Sequence, residues 1–91
     1  MSVMLLHTTA LRRKSMDPEA AWKELLHARL ERDWDRAEEL AEGLLDWLDK
    51  GGVPPMTVGD ARLGKKWHRE FAHTTCLFVL VDVKAARKRA R

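Results

Sequence analysis

Along residues 21–48 the apolar positions recur every three or four residues, with mostly charged side chains between them. Trp22, Leu25, Leu26, Arg29 and Leu30 fall at i, i+3, i+4, i+7 and i+8, which places them on one face of a helix. After a tight corner at Arg32, Asp33 and Trp34 the pattern restarts as Trp34, Ala37, Ala41, Leu44 and Leu48, with steps of three and four. Leu40, Leu45 and Trp47 widen this second stripe, so the second helix is expected to lie between two neighbours. The boundaries are marked as well. Asp17 is suited to accept a bond from a free amide at the helix start, and Pro18 fits the first helical position, where its missing N–H costs nothing. Gly51 and Gly52, followed by Pro54 and Pro55, form a stop signal. The pattern predicts a helical hairpin, with helices over about 18–32 and 34–50.

The remaining chain is less regular. Residues 1–16 have no clear period and read as an N-terminal arm or linker before a single helical domain at 17–91. Residues 2–9 suit a short strand or an extended arm. Thr57 and Asp60 are the candidate caps of a third helix. From Leu63 onward a heptad-like series runs through Trp67, Phe71, Thr74, Phe78, Val81 and Ala85, as a packed helix seam requires. Against that, residues 76–83 (CLFVLVDV) are rich in β-branched residues, as strands are. A strand there has only residues 3–6 as a partner, and a lone two-stranded ribbon is marginal. The expected fold is therefore all-α, a helical hairpin with a third C-terminal helix over about 61–89. The alternative is an α+β fold with a short strand at 76–83.

Composition narrows the class. The chain has 91 residues, enough for one domain, and 45% of them are hydrophobic, more than a disordered chain carries. Its longest apolar run, residues 76–81, is six residues, far below the ~20 that a membrane-spanning helix needs. No basic residue precedes the apolar patch at Val3–Leu6, so a secretory signal is not expected. A lone cysteine excludes an internal disulfide framework and suits a reducing, cytoplasmic setting.

Charge is distributed unevenly. Residues 17–49 hold eleven acids against four bases, and residues 50–91 hold ten bases against three acids. Either the two halves attract each other, within the fold or across a dimer, or the basic part faces an anionic partner.

The run Arg32, Asp33, Trp34, Asp35, Arg36, Ala37 resembles the turn of a tetratricopeptide repeat. Trp22 is similarly placed to that family's early tryptophan, and Pro54-Pro55 is similar to its closing proline. Leu25 or Leu26 stands where the family has a glycine, and the proline comes several residues late. The resemblance covers about residues 20–50, one unit, whereas solenoids need about three. What it implies is a local hairpin shape. It carries no ligand-binding residues to this chain.

Candidate chemistry is sparse. His68, Glu70, His73 and Cys76 are close in sequence, but no CxxC or HExxH spacing occurs. The expected reading is two partly exposed histidines and a buried, inert thiol, with no metal and no cofactor. Neither glycine cluster has a phosphate-cradling spacing, and the acids at Glu38, Glu39, Asp46 and Asp49 read as a solvated helix face. A catalytic role is therefore not expected. Trp22 and Trp34 are expected in the core, while Trp47 and Trp67 are the candidate partner-binding residues. The expected function is a non-catalytic protein-interaction or structural module, homodimeric in the fuller form of this reading. The alternative is an accessory nucleic-acid binder. It would use Arg62, Lys65, Lys66, Arg69, Lys84, Arg87, Lys88, Arg89 and Arg91 on phosphates.

Overall fold

Asp17 caps the first helix: its carboxylate accepts from the backbone amides of Glu19 and Ala20 at 3.0 and 3.3 Å. The structure is a computed structural model that describes residues 16–59 and 61–90. Expectations placed on residues 1–15, on Asp60 and on Arg91 lie outside the described residues. Three helices follow in order, α1 (Pro18–Leu30), α2 (Trp34–Asp49) and, after a 3-10 turn at Ala61–Leu63, α3 (Gly64–Arg89). The described residues form a small all-α three-helix bundle, and residues 76–83 are helical throughout. The strand composition of that stretch yields to helical tertiary packing, since no second strand pairs with it among the described residues.

The α1–α2 corner is built from three residues. Arg32 adopts φ 59°, the left-handed conformation that ends a helix. The amide of Arg32 donates to Arg29 O at 3.1 Å and that of Asp33 to Ala28 O at 2.9 Å, closing the last turn of α1. The Asp33 side chain then accepts from the amide of Arg36 at 3.3 Å. One residue thus finishes the first helix and caps the second, which is why the corner is so short.

The core is a single cluster. From α1 it takes Ala21, Trp22, Leu25 and Ala28, from α2 Ala37, Ala41, Leu44 and Leu48, and from α3 Ala72, Cys76, Val79 and Val83. Leu25 and Leu44 are wholly buried; each contributes about 1.5–3 kcal/mol. The alanines let the helix axes approach closely, so α2 packs against both α1 and α3. Met16, Trp34, Leu40, Leu45, Trp47 and Leu80 pack around this cluster. The second-helix stripe is therefore as its spacing predicts. In α1 the buried face is rotated: Ala21 and Ala28 go inward, Leu26 lies at the margin and Leu30 is 76% exposed.

Charged contacts join α3 to the hairpin. Arg87, near the end of α3, donates to Asp35 at 2.7 Å and Glu38 at 3.0 Å, near the start of α2. These acceptors hold the Arg87 guanidinium above its ordinary pKa, Glu38 first and then Asp35. Arg69, near the start of α3, reaches the end of α2. Helices α2 and α3 are therefore antiparallel. Arg29 of α1 bonds Asp82 of α3 at 2.9 Å. The acidic hairpin and the basic helix attract each other inside one chain.

Candidate functional site: the outer face of the third helix

The heptad-like series in α3 forms a continuous stripe, but the stripe does not face the hairpin. His68, Ala72, Cys76, Val79 and Val83 point inward, with steps of four, four, three and four. At 100° per residue this inward row lies on the opposite side of the helix from the series read from sequence. Leu63, Trp67, Phe71, Phe78 and Val81 are exposed, Trp67 by 58% and Phe78 by 66%. Leu77 joins them at 47%. Trp67 and Phe71 lie against each other, ring centroids 6.3 Å apart. The expectation of a buried seam at these positions is thus corrected. The helix was identified by its period, but a smaller-residue row of the same period occupies the core. Close approach to the alanines of α2 favours the slim row over the aromatic one.

The two tryptophans singled out for partner contact have different surroundings. Trp67 stands on the exposed stripe. Trp47 is half-buried, and its indole N–H donates to Val53 O at 2.8 Å. Its ring lies so close to Gly52 that a Cβ there would come within 2.3 Å of it. Trp47 therefore holds the α2–α3 connection. Around it the loop is fastened at several points. Gly51 takes φ 85° at the end of α2, and Gly52 N donates to Trp47 O at 2.8 Å. Arg69 donates to Leu48 O at 2.7 Å and Gly52 O at 2.9 Å. Pro54 and Pro55 are buried, and the amide of Met56 donates to Glu19 at 2.6 Å.

His68 departs from its expected partial exposure: only 6% of it is accessible. The amide of Thr57 donates to its Nδ1 at 3.0 Å, so that nitrogen accepts. The Thr57 hydroxyl lies 3.1 Å from the same atom. Thr57 thus serves as a loop anchor, and α3 begins without a side-chain cap. His73 is half-buried, with Nε2 3.9 Å from Asp49. Cys76 is wholly buried and its thiol is pushed up to about 12 by desolvation. Among the described residues no three His, Cys, Asp or Glu side chains converge in a metal-binding arrangement.

The basic residues of α3 are divided between its two ends. Arg69 and Arg87 are engaged with the hairpin, whereas Lys65 and Lys66 stand at one end of the helix and Lys84, Lys88 and Arg89 at the other. Arg62 is exposed. A depression of about 310 Å³ beside the α1–α2 corner is bordered by Arg29, Arg32, Asp82 and Arg89, but its carboxylate is already bonded to Arg29. No described helix is long and apolar enough to cross a membrane. What α3 presents on its outer face is an apolar ridge along a continuous helix. Compared with models of known protein families, with curated proteins and with solved structures, the chain matches none.

Proposed function

We propose that the protein is a non-catalytic, cytoplasmic helical interaction module whose working surface is the outer face of α3. One observation carries this reading: the largest apolar side chains of α3 point away from the protein's own core. Exposed apolar patches beyond a few hundred Å² mark contact surfaces on soluble proteins. Aromatic residues at the centre of such patches dominate binding energy. The hairpin then acts as a scaffold, consistent with the shape implied by its likeness to one tetratricopeptide unit. The buried, unreactive thiol and the engaged His68 support a non-catalytic role. A reduced lone cysteine suits the cytosol.

The test is photocrosslinking from the stripe. A benzophenone amino acid in place of Phe78 is expected to give discrete protein adducts in the producing cells. The same probe in place of Lys23, an exposed position on α1, is expected to give none. Equal labelling from both positions, or none from Phe78, would sink the reading.

A further inference from the structure

We infer that the occupant of the α3 outer face is a second copy of this chain, paired antiparallel to it about a two-fold axis through Leu77. This rests on the reading of that face as the contact surface.

The first support is size. The exposed apolar side chains of the stripe amount to on the order of 500 Å² per copy. Two copies bury about 1,000 Å², where specific interfaces begin. The second support is register. The outward series fits a coiled-coil repeat, with Phe71, Phe78 and Ala85 at one core position and Trp67, Thr74 and Val81 at the other. In an antiparallel pair these two positions face each other. One alignment sets Trp67 opposite the partner's Ala85, Phe71 opposite the partner's Val81, and Phe78 opposite the partner's Thr74. Each large ring thereby meets a small residue, and two-fold symmetry repeats each pair. A parallel in-register pair instead sets ring against identical ring.

The third support is charge. The same alignment brings Glu70 beside the partner's Lys84, and Leu77 beside the partner's Leu77. Both charged residues are exposed. Antiparallel pairing also keeps the basic ends, with Arg87, Lys88 and Arg89, a helix length apart. A parallel pair would crowd them and set Lys84 against the partner's Arg89. The face that carries the stripe is clear of the hairpin, which packs on the opposite side of α3.

Sedimentation equilibrium of the purified full chain tests the pairing. The wild type is expected to reach twice its 10.5 kDa mass with rising concentration. Phe71→Glu/Phe78→Glu should stay monomeric with unchanged helical circular dichroism. Glu70→Lys and Lys84→Glu should each weaken the dimer by about tenfold, and the double exchange should restore it. A Glu70→Cys/Lys84→Cys chain should form disulfide-linked dimers joined 70 to 84, while Glu70→Cys alone should not. A monomeric wild type at every concentration overturns the inference. If Phe78 then still crosslinks to another protein, the interaction reading survives. If it crosslinks to nothing, both fail. A dimer that tolerates the glutamates, is not restored by the exchange, or crosslinks through Glu70→Cys alone would also overturn this pairing.

Discussion

Gly52 shows how one position without a Cβ can govern a loop. The Trp47 ring occupies the space a methyl group would need, and the indole N–H is bonded to the next carbonyl, Val53 O. The ring cannot retreat without losing that bond. Gly52→Ala should therefore lower stability by about 2 kcal/mol in urea unfolding. A change within about 0.5 kcal/mol would contradict the packing. Cys76 gives a second residue-scale prediction. Its folded pKa of about 12 lies above the ordinary value of 9.0 because burial disfavours the thiolate. The unfolded chain therefore loses its proton first. The Cys76 contribution to stability is intact below pH 9 and is lost as the pH rises toward 12. Iodoacetamide should accordingly label the native protein at least about a hundredfold more slowly than the denatured one at pH 8. Comparable rates would show an accessible thiol.

At the scale of elements, helix ends and helix faces were not equally legible. The Asp17-Pro18 start, the Arg32-Asp33-Trp34 corner and the Gly51-Gly52 stop all rest on local backbone chemistry, and the structure has all three. The burial of Ala37, Ala41, Leu44 and Leu48 was legible as well, because α2 has one dominant apolar stripe. Helix α3 has two rows of similar period, one of large residues and one of small. Period alone cannot say which row meets the hairpin. The anchoring roles of Arg69 and His68 were not legible either, since both depend on a loop whose path is set by tertiary contacts. The acidic residues Asp46 and Asp49 near the end of α2 gave one indirect signal. They are unfavourable at the negative end of a helix dipole, and Arg69 places a positive charge there. Arg69→Met keeps most of the stem but leaves the carbonyls of Leu48 and Gly52 without this donor. It should cost about 1.5–3 kcal/mol in thermal or urea unfolding, while Lys66→Met should change stability by less than about 0.5 kcal/mol.

For the whole molecule, the asymmetric charge is partly matched within the fold: Asp35 and Glu38 of the hairpin bond Arg87 of α3, and Arg29 of the hairpin bonds Asp82 of α3. With Ala72, Cys76, Val79 and Val83 packed in the core, the aromatic row of α3 is left on the outside. Adjacent residues therefore face opposite ways, Phe78 outward and Val79 inward. The most direct measurement is the unfolding free energy of Phe78→Ser and Val79→Ser, taken dilute enough that separate copies are apart. Val79→Ser should cost about 2–4 kcal/mol, because it opens the core and buries a hydroxyl. Phe78→Ser should change stability by no more than about 0.5 kcal/mol, as a surface substitution does. The reverse order, with Phe78 the costly position, would place the aromatic row in the protein's own core and contradict the account.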